Sequence, residues 1–179
     1  MTDREQKAAA KAFVKRWTGK GDEKQHTQLF WKELLQDVYG MSVNSDTVEF
    51  EKPVVYDGTT YIDVYIRSTR VMVEQKSLGI SLDKQGMRHG EMLTPFEQAR
   101  EYNLKLLADD KVKYIIVSNF ETFRIHDLNK VNPHRNYTEI SLSELPDKLH
   151  SLDFMISEDK TPDDGGEDPI SKQAGELFA

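Results

Sequence analysis

The spacing of hydrophobic and polar positions changes several times along this chain, and the changes mark out its elements. Residues 4–17 are strong helix formers and predict a helix that Gly19-Lys20-Gly21 ends. Asp22, with Gln25 three positions on, reads as the cap of a second helix. Leu29, Phe30, Trp31, Leu34, Leu35, Val38 and Tyr39 give that helix a wide apolar arc, suited to burial against a sheet, before Gly40 stops it. Residues 47–56 alternate loosely around Pro53, which predicts an edge strand, and Asp57-Gly58 is a hairpin signal. Residues 61–66 and 71–76 alternate and are rich in β-branched and aromatic side chains, so both read as neighbouring strands.

Residues 78–93 contain three glycines and little periodicity, which predicts a mobile loop. Thr94-Pro95-Phe96-Glu97 then opens a helix expected to reach about residue 109, with a capping hydroxyl, a first-position proline and a glutamate for the capping box. Residues 112–120 hold a near-continuous apolar run, befitting a strand covered on both faces. Residues 121–128 alternate and are expected to pair with it through a turn at Asn119-Phe120. Ser141 or Ser143 is expected to cap a short helix over 145–152, interrupted by Pro146. The order of elements predicts an α/β fold with three layers, a central mixed sheet flanked by helices.

Side chains two apart on a strand share a face. Glu74 and Lys76 therefore share one face, with Val71, Val73 and Gln75 on the other. Asp63 shares its face with Tyr61 and Tyr65, opposite Ile62, Val64 and Ile66. If the two strands pair with their apolar faces aligned, Asp63, Glu74 and Lys76 converge at the strand ends. Magnesium favours a few carboxylate oxygens completed by waters and substrate phosphate. Asp63 and Glu74 supply carboxylates, and the backbone carbonyl of Gln75 offers a further oxygen. Lys76 is placed to orient an attacking water or to stabilise charge on phosphorus. The plainer alternative is a set of cross-strand ion pairs on the solvent side of a hairpin, common in a chain with 31% charged residues.

Composition changes this picture little. The 179 residues suit one domain with appendages, no apolar run approaches the ~20 residues of a membrane span, and the N-terminus lacks the apolar core of a signal peptide. Cysteine is absent, which excludes disulfides and thiolate metal sites and accords with a reducing cytoplasm. The net charge of −7 is concentrated at the end: residues 157–179 hold seven acids against Lys160 and Lys172, a charge of −5 that leaves only −2 upstream. A near-neutral domain binds nucleic acid through a local basic surface, so charge does not decide the matter. Three segments are expected: a domain carrying Asp63, Glu74 and Lys76 over 1–156, an acidic flexible linker over 157–169, and the opening of a truncated helix over 170–179.

Asp63 followed by Glu74-Gln75-Lys76 resembles the PD-(D/E)xK nuclease signature, with Ile62 where the proline usually stands. Gln98-Ala99-Arg100-Glu101-Tyr102 is similar to the Gln-x-x-x-Tyr motif of RecB-like members; four residues apart, Gln98 and Tyr102 lie on one helical face. The resemblance implies that they contact DNA phosphate or support the site, against the plainer reading of one buried tyrosine. A closer resemblance is to the N-terminal nuclease domain of MmeI-like (type IIG/IIL) restriction-modification enzymes. It rests on Phe30-Trp31-Lys32-Glu33-Leu34-Leu35 with Tyr39-Gly40, then Tyr61-Ile62-Asp63-Val64-Tyr65, Val73-Glu74-Gln75-Lys76-Ser77, Pro95-Phe96-Glu97-Gln98-Ala99 and Val117-Ser118-Asn119-Phe120, in order over roughly 20–130.

That resemblance implies a Mg2+-dependent endonuclease acting on double-stranded DNA in phage defence, with Mn2+ as a possible substitute. It also implies a downstream helical spacer, an adenine methyltransferase using S-adenosylmethionine and a target-recognition domain. No Asn-Pro-Pro-Tyr or Asp-Pro-Pro-Tyr motif occurs here, so the chain is expected to be a fragment. Glu33 is a further carboxylate that some nucleases of this fold would aim at the metal, weighed against a solvated position. Lys84, Arg88 and His89 are candidate phosphate contacts. His26, His126, His134 and His150 show no ligand spacing. Two other functions stay open: a catalytically silent DNA- or partner-binding module, and a structure-selective repair or junction nuclease.

Overall fold

The computed structural model describes residues 1–55 and 58–162. In chain order the elements are α1 (Asp3–Trp17), α2 (Thr27–Glu33), β1 (Val48–Val55), β2 (Thr59–Ile66), β3 (Val71–Gln75), β4 (Gly86–Arg88), β5 (Glu91–Leu93), α3 (Pro95–Lys105), β6 (Tyr114–Ser118), β7 (Thr122–Asp127) and β8 (Tyr137–Ser141). Six strands form one mixed sheet in the order β1-β2-β3-β6-β7-β8, in which only β3 and β6 run parallel; β4 and β5 make a separate hairpin. Helices α1 and α2, with two 3-10 stretches (Leu142–Asp147 and Leu149–Met155), cover one face of the sheet, and α3 covers the other. The expected three-layer α/β architecture is what the chain adopts.

The larger core lies beneath α1 and α2. Phe13, Trp17, Phe30, Trp31, Phe120 and Phe123 pack there edge-on or tilted for the most part, with Phe30 5.0 Å from both Phe13 and Phe120 by ring centroid. Such offset geometries suit the quadrupoles of the rings. Leu29, counted above in the apolar arc of α2, is half-exposed instead. The last turn of that helix, Leu34–Val38, widens to π geometry before Gly40. Asp22 does cap the approach to α2, accepting from the amides of Lys24 and Gln25, but its own amide donates to His26 Nδ1 rather than to Gln25.

Gly21 makes one of the closest approaches in the fold. Its φ of +152° lies where L side chains rarely sit, and a Cβ there would stand 2.3 Å from the ring of Phe120, which is itself wedged against Trp17 and Phe30. Gly21→Ala is expected to cost roughly 1–3 kcal/mol, in the range of overpacked cores. Urea unfolding measures it; an unchanged midpoint would show that Phe120 can step aside.

Several expectations are corrected. Residues 78–93 are not a featureless loop: they carry β4 and β5, too short for a periodic signal, and the approach is pinned by Leu78 donating to the Gly21 carbonyl and Asn119 Nδ2 to that of Ile80. Helix α3 stops at Lys105 rather than near 109, because Asn103 turns its side chain to the Val112 amide and leads the chain into a 3-10 turn at Ala108–Asp110. The segment expected as a short helix is two 3-10 stretches, opened by a capping box between Ser141 and Glu144. Strand β8 was not expected; only Ile140 of its residues is buried. Pro53 does lie on an edge strand, and the turn at Asn119-Phe120 does join β6 to β7, with Phe120 at φ +71°. Of the expected acidic linker only residues up to 162 are described, and the helix expected from 170 lies outside the described residues.

Candidate active site

The site forms where the sheet forks. The β2–β3 ladder pairs Ile66 with Val71, Tyr65 with Met72 and Val64 with Val73, and ends there. Strand β3 stays with β6 to its end, Glu74 beside Val117 and Gln75 beside Ser118, and the Lys76 amide still reaches the Ser118 carbonyl at 2.7 Å. Asp63 fills the gap that opens: its Oδ2 accepts from the Gln75 amide at 2.7 Å, replacing a ladder bond with a side-chain one.

A kink turns Asp63 into that gap. Strands β1 and β2 pair in constant register from Val48–Ile66 to Val55–Thr59, except at Glu51 and Asp63, and Glu51 has φ +52°. For a residue with a Cβ this is uncommon and costs of order 1 kcal/mol. The ribbon changes face across the kink. Val64 and Ile66 pack beneath α1 and α2, whereas Ile62 packs with Tyr65 and Met72 beneath α3. Plain alternation had put Ile62 on the face of Val64 and Ile66, and the left-handed residue opposite is why it fails.

On β3 alternation holds. Val71 and Val73 join the core beneath α1 and α2, and the Gln75 side chain follows them, its Oε1 accepting from Trp31 Nε1 at 2.7 Å. Glu74 and Lys76 turn to the face of α3. Lys76 Nζ lies 3.1 Å from Glu74 Oε1 and donates to Gln98 Oε1 at 3.3 Å. Gln98 Nε2 in turn donates to the Tyr102 hydroxyl at 2.7 Å, and Thr60 Oγ1 donates to the same hydroxyl at 3.1 Å. A continuous relay thus runs Glu74–Lys76–Gln98–Tyr102–Thr60. Gln98 is 8% exposed and Tyr102 3%, so the pair braces Lys76 from inside. Tyr102→Phe would strip both donors of their acceptor, at an expected cost of about 1–2 kcal/mol. Equal stability in urea would mean that water replaces the hydroxyl.

The carboxylates are electrostatically short of positive charge. Burial pushes the Glu74 carboxyl up to about 8, with repulsion from Asp63 adding to the rise and Lys76 opposing it. Burial likewise raises Asp63 to about 6, against the pull of the Gln75 amide and of Lys76, while Glu23 and Glu51 push it further up. Two desolvated carboxylates facing one ammonium is a donor set suited to a hard divalent cation: oxygen ligands, space for water, no imidazole or thiolate. Among the described residues no three His, Cys, Asp or Glu converge as a metal cluster, so any such ion would draw further ligands from the Gln75 carbonyl, water or substrate.

Asp63, Glu74, Gln75, Lys76, Gln98 and Tyr102 all line one open cleft of about 550 Å³. Glu33 does not join them. Its Oε2 accepts from Trp17 Nε1 at 2.7 Å and Arg16 Nε at 3.2 Å, tying α2 to α1, so it neither faces the site nor stands simply solvated. Glu23 and Glu51 were not anticipated, yet both line the cleft. Glu23 is held there by its amide donating to Ser77 Oγ, just past β3, and a serine after Lys76 was the available sign. Glu51 carried no sign, since no residue type announces a left-handed glutamate. Arg88 and His89 also line the cleft, while Lys84 lines an adjoining cavity with Lys76 and Arg88. His126, stacked on Phe96, lies outside the cleft, and burial holds its imidazole down at about 4. No helix among the described residues is long and apolar enough to cross a membrane.

The family model described as MmeI, N-terminal domain, matches residues 8–179. Comparison with curated proteins and with solved structures returns no match.

Proposed function

The chain belongs to the MmeI N-terminal-domain family, a restriction-enzyme-related group, and from that premise we propose that it is a Mg2+-dependent DNA endonuclease that hydrolyses phosphodiester bonds. The observation that carries this is the convergence of Asp63, Glu74 and Lys76 at the fork, with Lys76 3.1 Å from Glu74 and braced by Gln98. Asp63, Glu74 and the Gln75 carbonyl are the oxygens that would hold the metal. Bound magnesium would supply neutralisation of charge on the scissile phosphate and a lowered pKa for water.

The chain's own residues do the rest. Lys76 presents its ammonium beside the carboxylates, where it orients the attacking water and offsets negative charge building on the phosphoryl oxygens. Gln98 fixes the direction of that ammonium, and Tyr102 fixes Gln98. Sequence recognition and S-adenosylmethionine chemistry are assigned to methyltransferase and target-recognition domains of the same polypeptide, downstream of this one. The test is magnesium-dependent cleavage of duplex DNA by this domain joined to a target-recognition module, comparing wild type with Lys76→Ala. Equal cutting by the two would remove the assignment.

A further inference from the structure

We infer that the β4–β5 hairpin is an arm that grips the DNA duplex across the cleft, with Arg88 holding a backbone phosphate and Met87 and Met92 resting in a groove. This rests on the nuclease reading of the cleft and adds an element to it. Met87, Arg88 and His89 line the same cleft as Asp63, Glu74 and Lys76, so the hairpin forms its outer wall. Arg88 lines both this cleft and the adjoining cavity, and its charge is felt at Glu74. A guanidinium at that place matches the fork of phosphate oxygens next to the reacting one.

The apolar side chains point the same way. Met87 stands opposite Met92 in the hairpin register, and opposed residues share a face. They are 60% and 50% exposed, a paired apolar surface that reaches the cleft through Met87, while Gly86, Arg88 and Leu93 of the hairpin line the adjoining cavity. Across the cleft Tyr61 is also more than half exposed and lines the same wall-to-wall space. Methionine is an unbranched, adaptable contact, and methionine is among the residues that proteins wedge into the minor groove of duplex DNA. The occupant is therefore a duplex, continuous with the cleft that would cut it.

The absence of cysteine makes the test direct, because Met92→Cys introduces the chain's sole thiol. The variant is mixed at low salt, in Ca2+ so that no cleavage proceeds, with a duplex carrying a disulfide-activated tether in its minor groove. Leu29→Cys, half-exposed on α2 away from the cleft, is the control. Cross-linking from Met92→Cys at about tenfold the control, together with a salt-dependence slope lowered by about 1 in Arg88→Ala, is expected. Cross-linking at the control level, or an unchanged slope and affinity in Arg88→Ala, overturns the arm. Wild-type cleavage in Mg2+, by this domain joined to a target-recognition module, separates the two readings. Cleavage without preferential cross-linking sinks the arm alone, and cross-linking without cleavage sinks the nuclease alone.

Discussion

Lys76→Ala should lower the rate of DNA cleavage by about 10²–10³, the cost of removing one preorganised charge that acts on the transition state. The fold should survive. Lys76 follows the last residue of β3 rather than filling the core, and its amide bond to Ser118 is backbone and persists. Glu74 loses its cation, but a carboxyl already held up near 8 by burial answers by staying protonated rather than by unfolding the strand. Gln98 keeps Tyr102 as a partner. The measurement is single-turnover cleavage at saturating Mg2+, beside a urea midpoint. Loss of cleavage with a retained midpoint supports the role; cleavage at the wild-type rate removes it, and a collapsed midpoint would make Lys76 a structural residue.

The second large effect couples stability to pH and has the opposite sign from the usual carboxylate. Asp63 and Glu74 both have folded-state pKa values above those of the unfolded chain, near 4. The folded state binds more protons in that window, so their contribution is fully present below about pH 4 and is lost as pH climbs through 6 and then 8. The metal-free domain should therefore lose stability between pH 5 and pH 8.5. Asp63→Asn removes one desolvated charge and its repulsion of Glu74, and should make the metal-free domain more stable than wild type at pH 8 by roughly 2 kcal/mol. Magnesium should stabilise wild type there, by ~3 kcal/mol at a hundred times its dissociation constant, and Asp63→Asn hardly at all. Chemical denaturation at both pH values, with and without Mg2+, decides it. A wild type that gains stability with pH in the absence of metal, or an equal response of Asp63→Asn to magnesium, would refute the account.

Much of this site was legible in sequence because its chemistry rides on β3, where strict alternation fixes the faces. Val71, Val73 and Gln75 go one way and Glu74 and Lys76 the other, as period two requires. The Gln98–Tyr102 pair was equally legible, since four residues on a helix return to the same side. What sequence could not show was why Asp63 reaches the fork: that depends on Glu51 adopting φ +52°, a backbone choice imposed by tertiary structure. Strand β8 escaped notice because just Ile140 in it is buried, leaving no pattern to read. The hairpin at β4–β5 escaped because three residues are too few for a period. Glu33 differs for another reason: only the family resemblance raised it as a metal ligand, against a solvated position, and the indole and guanidinium that capture it come from α1, a contact that no local pattern encodes.

The bond from Trp31 to Gln75 gives the protein an optical property. The chain has two tryptophans, both in the core beneath α1 and α2, and one of them donates its indole N–H to the residue lying between Glu74 and Lys76. The amide of that same residue holds Asp63. A cation that draws Asp63 or Glu74 toward itself pulls on a hydrogen bond of a buried fluorophore, with no dye attached. Ultraviolet emission thus becomes a native gauge of occupancy at the fork, and Trp17, bound instead to Glu33, is the internal reference on the same spectrum.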